Sequence, residues 1–136
     1  MTRKAAGPAT TPKEATERLG RAFEVGDPGL AEGALAFPYL HAVDFRGKTT
    51  VHVYDAARFA EQVSERPGGP GVRRTRTDLT VETLSPTAAL VREEAMLTAA
   101  DGDSGLLRGV HLVVRGPAGW AVNASWYSEL PEELLS

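Results

Sequence analysis

Cysteine is absent from this 136-residue chain. Its absence excludes disulfide bonds, thiolate zinc sites and cysteine nucleophiles. Aromatic residues are few, at 7% of the chain, and no stretch approaches the roughly 18 consecutive apolar residues of a membrane-spanning helix. The N-terminus is basic but has no apolar segment of the kind found in secretory signals. We therefore expect a cytoplasmic protein without membrane contact.

An excess of positive charge is also lacking, since 15 Lys and Arg face 18 Asp and Glu for a net charge of -3. Nucleic-acid-binding proteins usually present a basic surface, so we expect no nucleic-acid partner. The three histidines, His41, His52 and His111, are scattered and show no metal-ligand spacing. The glycine-rich loop 66–71 follows a predicted helix, whereas a phosphate-binding loop precedes one. No metal or other cofactor is predicted.

The first third of the chain carries helix signals. Residues 1–10 show no periodicity and are predicted to be a flexible arm. Thr11 then offers a helix cap followed by proline, and the apolar spacing that follows predicts a helix ending near Gly26. Asp27 repeats the start signal for a short helix to about Leu35. Asp55 is predicted to cap a third helix from Ala56 to about Glu65.

The rest of the chain favours strands. Alternating apolar and polar residues bounded by turn residues predict six of them: 39–45, 49–54, 73–84, 87–99, 106–115 and 120–127. Short connections make consecutive strands antiparallel, with a tight two-residue turn at Pro117-Ala118. We predict one α+β domain over residues 11–129 with a tail at 130–136. Three N-terminal helices would pack on the concave face of a curved, mostly antiparallel sheet.

Residues 12–128 resemble the nuclear transport factor 2-like superfamily, a cone-shaped fold. The resemblance lies in the opening helix pair, Phe37-Pro38 before the first strand, the helix after Tyr54-Asp55, and Gly119-Trp120-Ala121-Val122. The superfamily includes ketosteroid isomerases, SnoaL-type polyketide cyclases and scytalone dehydratase, together with binding proteins and dimerisation modules. The resemblance implies a pocket between helices and concave sheet face, and a homodimer through the convex face.

Glu93 is the one charged residue on an otherwise apolar row of its strand, beside Val91 and Ala95. Burial would raise the pKa of this carboxyl toward the range useful for proton transfer. The alternative is a structural Glu bonded to an arginine or turned outward at a bulge. If the turns contain two residues at Pro117-Ala118 and three at 101–103, Glu93 lies directly opposite His111. That register predicts a catalytic Glu–His pair; a shift of one residue would make Arg108 the partner of Glu93 instead.

Asp44 and His41 form a competing site. The resemblance to ketosteroid isomerases implies that Asp44, near the end of the first strand, is a general base. The first helix lacks the tyrosine that would complete that site, and a turn role explains Asp44 equally well. His41 shares a strand face with Tyr39 and is predicted to line the same pocket.

Aromatic and polar side chains are predicted to bind the substrate or, alternatively, to form the core. They are Tyr39, Tyr54, Phe59, Trp120, Asn123 and Trp126. We expect Trp120 to anchor the first helix and Trp126 to contact the ligand on the face of His111. Alternation also groups Arg74 with Arg76 and Asp78, which predicts a solvated face or dimer rim.

The predicted function is a cofactor-independent cyclase, isomerase or dehydratase that acts by acid–base chemistry. Its substrate would be a small hydrophobic, polyketide-like molecule held in the cone. The alternative is a non-catalytic ligand-binding or dimerisation module of the same fold.

Overall fold

The computed structural model describes residues 7–45, 47–64, 73–99, 102 and 104–128. These residues form two α-helices, one short 3-10 helix and a six-stranded sheet. In chain order the elements are α1 (Pro12–Val25), the 3-10 helix (Pro28–Ala31), β1 (Leu35–Phe45), β2 (Lys48–Tyr54), α2 (Ala56–Ser64), β3 (Arg73–Ser85), β4 (Ala88–Thr98), β5 (Ser104–Gly116) and β6 (Gly119–Ser128).

Helix α1 begins and ends where its sequence signals predict. The Thr11 hydroxyl accepts a hydrogen bond from the Glu14 backbone N–H at 3.0 Å, and Gly26 adopts the left-handed conformation that ends helices. The prediction of three N-terminal helices is wrong. Asp27 caps only a single 3-10 turn, because Gly29 disfavours helix and Gly33, at φ 83°, turns the chain away.

The sheet order is β2-β1-β6-β5-β4-β3. Every neighbouring pair is antiparallel except β1 and β6, which are parallel. Strand β1 starts at Leu35, earlier than predicted, and contains a cis Phe37–Pro38 peptide bond. Proline is tolerated there because pairing with β6 is interrupted between Leu35 and Leu40.

Helix α1 covers one side of the sheet, which we call the inner face; the opposite side is the outer face. The main core lies between α1 and the inner face. Its largest fully buried side chains include Leu19, Tyr39, Val91, Val113 and Val122. Inner-face residues therefore lie in an apolar interior, where a polar group needs a partner.

Two of the register shifts in the sheet decide the faces of candidate site residues. Between β3 and β4, Arg74 pairs with Leu97 and Arg76 pairs with Met96, which leaves Thr75 without a partner in the register. Between β5 and β6, Val113 pairs with Val122 and Leu112 pairs with Ala124, which leaves Asn123 without a partner in the register. We call these the Thr75 bulge and the Asn123 bulge. Each extra residue interrupts the alternation of side chains between the two faces. Residues beyond the bulge therefore lie on the face opposite to the one that a regular strand would give them.

The last part of the predicted arm packs against the final hairpin. The Trp120 backbone N–H donates to the Ala9 carbonyl at 2.9 Å, and Ala9 is buried. Trp120 packs against the core that contains Leu19. Gly119, at φ 141°, leaves no room for a side chain because a Cβ would lie 2.6 Å from the Ala9 carbonyl oxygen. Residues 1–6 of the predicted arm and the predicted tail, 130–136, lie outside the described residues.

Within the described residues, none of the helices has the length and apolar character needed to cross a membrane.

Candidate functional site

A Glu–His pair lies buried on the inner face. Glu93 Oε1 and His111 Nε2 are 2.7 Å apart, and the two residues are 4% and 1% exposed. The register that predicted them directly opposite is wrong by two residues, since Glu93 pairs with Gly109 and His111 with Val91. The contact is therefore diagonal across one face. Gly109, the residue opposite Glu93, leaves room for the Tyr127 ring, because a Cβ there would lie 3.0 Å from that ring.

Arg74 forms an ion pair with the other carboxylate oxygen, Glu93 Oε2. Its guanidinium passes beneath α1, where a Cβ on Gly20 would lie 3.2 Å from Arg74 Nε. Its backbone N–H donates to Glu24 Oε2 at 2.7 Å. The prediction that Arg74 shares a solvated face with Arg76 is wrong, because the Thr75 bulge turns Arg74 to the inner face.

The pKa of Glu93 lies below its ordinary value of 4.5. Burial acts to raise this pKa, but the hydrogen bond from His111 and the positive charge of Arg74 together outweigh it. The expectation of a raised pKa is therefore wrong, and Glu93 is a carboxylate at neutral pH. An ionised carboxylate only accepts hydrogen bonds, so His111 donates to it from Nε2.

Ser125 continues the chain of hydrogen bonds. Its Oγ lies 2.7 Å from His111 Nδ1 and its side chain is buried. When the ring carries a single proton, on Nε2, Nδ1 accepts from the Ser125 hydroxyl. We call Arg74, Glu93, His111 and Ser125 the buried polar chain. Sequence reasoning missed both ends of it, since a bulge decides the face of each.

An aromatic cluster adjoins the buried polar chain. The His41 ring lies 5.3 to 6.2 Å from four other rings, measured between centroids: Phe23, Tyr39, Tyr54 and Tyr127. Tyr127 also contacts the His111 ring at 5.4 Å, which joins the cluster to the polar chain. Tyr39 further contacts Phe59 edge to face at 5.9 Å. The structure thus brings His41, Tyr39, Tyr54 and Phe59 to one side of the sheet, next to Glu93 and His111.

Tyr39 is fully buried, and its hydroxyl lies beside Ser125 with no other partner among the described residues. Burial raises the pKa of Tyr39 well above its usual value, and the nearby Tyr127 acts in the same direction. A hydrogen bond with the Ser125 hydroxyl acts in the opposite direction. The phenol is therefore a neutral hydrogen-bond donor beside Ser125.

Two predicted site residues lie on the outer face instead. Trp126 is 51% exposed and pairs with Val110, because the Asn123 bulge reverses its direction relative to Trp120. The prediction that it shares the face of His111 is wrong. Asp44 lies on the same face of β1 as Leu40 and Ala42, which line the outer face, so it does not face the Glu–His pair. Asn123 donates from Nδ2 to the Pro38 carbonyl at 3.2 Å and links the bulge to β1.

The outer face carries an open groove of about 640 Å³. Its apolar lining includes Leu40, Leu90, Val110, Leu112 and Trp126. Arg92, Glu94 and Arg108 add charges of both signs. In the described ranges, no three His, Asp or Glu side chains converge as metal ligands would.

No protein-family model matches the chain, and no curated protein matches it. Solved structures do. The chain is similar to a nuclear transport factor 2-like protein of unknown function in nutrient uptake from Rhodospirillum rubrum ATCC 11170. The two are 22% identical, with a TM-score of 0.62 over 89% of this chain and 99% of the other. The fold is nuclear transport factor 2-like.

Two further structures share the nuclear transport factor 2-like fold. A ketosteroid isomerase-like protein from Erwinia carotovora atroseptica SCRI1043 is 16% identical, with a TM-score of 0.64 over 88% of this chain and 94% of the other. A candidate calcium/calmodulin-dependent protein kinase type II association domain from Thiobacillus denitrificans ATCC 25259 is also 16% identical, with a TM-score of 0.71 over 93% and 100%. Identities this low establish the fold alone.

The depressed pKa of Glu93 predicts how acid affects this nuclear transport factor 2-like fold. A carboxylate with a lower pKa when folded stabilises the protein fully above its unfolded pKa, near 4.5. We expect that contribution to be lost as the pH falls below about 4.5 through the folded pKa. Urea unfolding of wild type and Glu93→Gln from pH 7 to pH 3 measures it. The stability difference between them should shrink toward low pH; a constant difference would contradict the pairing.

Proposed function

We propose that this chain is a cofactor-independent enzyme that transfers protons on a small hydrophobic molecule bound at the inner face. The hydrogen bond between Glu93 and His111, buried beneath α1, carries the proposal. Buried pairs of titratable groups in an apolar setting are typical of acid–base sites. The ketosteroid isomerase-like structural neighbour is consistent with this class of chemistry. Isomerase, cyclase and dehydratase reactions all need such a proton transfer.

The geometry favours His111 rather than Glu93 as the proton acceptor. Arg74 holds Glu93 in the ionised form. The lowered pKa of Glu93 makes this carboxylate a weak base at neutral pH. The carboxylate instead orients the imidazole and stabilises the imidazolium formed when His111 accepts a proton. His41, Tyr39, Tyr54 and Phe59 provide an apolar wall for the substrate. Asp44 has no role in the proposal because it lies on the outer face.

Hydrogen exchange in D2O tests the proposal without knowledge of the natural substrate. A panel of small apolar ketones is incubated with the protein, and deuterium uptake at the carbon next to the carbonyl is followed by NMR. We expect wild type to exceed the buffer rate for at least one ketone. Glu93→Gln and His111→Ala should lower that rate by roughly 100-fold or more, the usual contribution of a positioned acid or base.

The matched control is His52→Ala, because His52 lies on β2 and is exposed. Its exchange rate should equal that of wild type. Exchange that persists in Glu93→Gln and His111→Ala, or a panel in which no ketone exchanges above buffer, would contradict the proposal.

The exposed apolar outer face favours a second function, homodimerisation. Leu40, Val110 and Trp126 are 39%, 39% and 51% exposed within one groove. An apolar patch with an aromatic centre and a polar rim is typical of interfaces. A second copy fits best, because Glu94 and Arg108 lie 3.7 Å apart in the rim and two-fold pairing can place each near its opposite charge. One structural neighbour is a candidate association domain, which is consistent with this alternative.

Trp126→Asp should dissociate the proposed dimer. Loss of a central tryptophan typically costs about 2 kcal/mol or more of binding, so the dissociation constant should rise about 30-fold or more. Sedimentation velocity at micromolar concentration measures the change. Val81→Asp is the control, because Val81 is 41% exposed but pairs with Val91 on the inner face. Wild type that sediments as a monomer would contradict the dimer.

A further inference from the structure

Gly20 lies in the interior of α1, where glycine is less stable than alanine because it loses more backbone freedom on folding. Gly20 is buried and has ordinary helical geometry, so neither a left-handed conformation nor a helix end explains it. The space beside it is occupied instead. A Cβ on Gly20 would lie 3.2 Å from Nε and 3.3 Å from Cζ of Arg74. The missing side chain therefore makes room for the guanidinium.

The Glu93 carboxylate holds the other end of the same guanidinium. Arg74 Nη1 and Glu93 Oε2 form the ion pair, and the two side chains are 15% and 4% exposed. The guanidinium is planar and its donors keep a fixed arrangement, so a shift of Nε or Cζ also moves Nη1. A side chain on Gly20 would therefore displace the group that binds Glu93.

Helix α1 also holds the Arg74 backbone. The Arg74 N–H donates to Glu24 Oε2 at 2.7 Å. β3 is an edge strand and Arg74 precedes the Thr75 bulge, so strand pairing restrains this backbone from one side only. Gly20 and Glu24 are four residues apart and thus lie on one side of the helix. We call these two residues the Arg74 seat.

We infer that α1 positions the Glu–His pair, because the Arg74 seat places the guanidinium where it fixes Glu93 Oε2 and so directs Oε1 at His111. The inference rests on the proposed function only for its effect on proton transfer. Glu93 Oε1 lies 2.7 Å from His111 Nε2, and both oxygens belong to one planar carboxylate. A displaced guanidinium therefore turns Oε1 out of line with the His111 N–H bond. Gly20, Glu24 and Arg74 are positioning residues that act on His111 through Glu93.

Gly20→Ala, made with and without the Arg74 side chain, tests the seat by thermal unfolding. Helix propensity alone predicts that alanine raises the melting temperature in every background. We expect Gly20→Ala to lower it when Arg74 is present, because the added Cβ displaces the guanidinium. In Arg74→Met, whose flexible side chain has no ion pair to preserve, the same change should raise it. Arg74→Lys keeps the charge without the planar group and is a second background with the same expected sign.

The control is Gly116→Ala, because Gly116 is exposed and a Cβ there would meet nothing within 4 Å. Its effect on the melting temperature should be equal in all backgrounds. A rise with Gly20→Ala in every background would show that Gly20 does not seat Arg74. A fall in every background would show that Gly20 serves the packing of α1 on the sheet. Either result would overturn the inference.

Carbon-13 NMR titration of the Glu93 carboxyl provides a measurement that helix packing alone would not change. Burial raises the pKa of Glu93, and His111 from β5 and Arg74 from β3 lower it. Tyr39 from β1 also faces this carboxylate. Gly20→Ala should raise the pKa of Glu93, Arg74→Met should raise it further, and Gly116→Ala should leave it unchanged. An unchanged pKa of Glu93 in Gly20→Ala would contradict the inference.

The ketone-exchange assay connects the Arg74 seat to proton transfer. Gly20→Ala should lower the exchange rate about tenfold, as small misplacements of reacting groups do, while Gly116→Ala should match wild type. Ketone exchange in wild type without the expected reversal of sign in the melting temperatures would refute the inference alone. The reversal of sign and the raised pKa of Glu93 without ketone exchange in wild type would refute the proposed function and leave the Arg74 seat standing.

Discussion

Glu93→Gln is expected to lower the free energy of unfolding by roughly 3 kcal/mol at pH 7, the cost of breaking a buried ion pair. The carboxylate is held by Arg74 and hydrogen-bonded to His111, and Gln can replace neither the charge nor both acceptors. A typical domain is more stable than this loss, so the variant should remain folded. Urea unfolding at pH 7 measures the change, and circular dichroism verifies folding in the exchange assay.

The control for this prediction is the next residue along β4. Glu94 faces outward and pairs with Arg108 at 3.7 Å, and both side chains are at least half exposed. Exposed pairs contribute little, so Glu94→Gln should change stability by less than about 0.5 kcal/mol. Equal effects of the two substitutions would show that Glu93 lacks the partners described above.

Deletion of Asn123 should abolish the native fold. Without the Asn123 bulge, residues 124–128 change faces, which turns Ser125 and Tyr127 outward and forces Trp126 into the core. We expect the loss to exceed about 5 kcal/mol, comparable to the whole stability of many domains. Far-ultraviolet circular dichroism and solubility measure the outcome.

Asn123→Ala keeps the extra residue and removes only the hydrogen bond to the Pro38 carbonyl. It should cost about 1 kcal/mol and leave the fold intact. A deletion variant that melts at the temperature of Asn123→Ala would refute the role of the bulge.

Local signals made much of the fold predictable. The Thr11 cap and Gly26 define α1, and the turn at Pro117-Ala118 sets the start of the β5–β6 register. The isolation of Glu93 in an apolar row correctly predicted its burial. The loop between β4 and β5 is longer than the three residues assumed, which shifts the register by two. Because side chains alternate with a period of two, Glu93 and His111 still share a face.

The bulges explain why the rest of the site could not be predicted. A bulge inserts one residue, an odd shift, and therefore reverses the predicted faces of Arg74, Ser125 and Trp126. Nothing local in Arg73–Arg76 or in Asn123–Ser125 marks the extra residue. The bulges fit tertiary demands instead: Arg74 meets the buried charge of Glu93, and Ser125 meets the open nitrogen of His111. The position of the Tyr39 hydroxyl beside Ser125 is likewise a property of the packed interior.

The central claim is that His111 connects Glu93 to Ser125, with the Nε2 proton directed at the Glu93 carboxylate. Long-range proton–nitrogen correlation NMR of nitrogen-15-labelled protein at neutral pH measures this directly, with Ser125→Ala used to assign the Nδ1 contact. We predict a slowly exchanging, downfield Nε2 proton and a Nδ1 resonance that shifts in Ser125→Ala. A proton on Nδ1 instead, or a Nε2 proton that exchanges freely with water, would contradict the account.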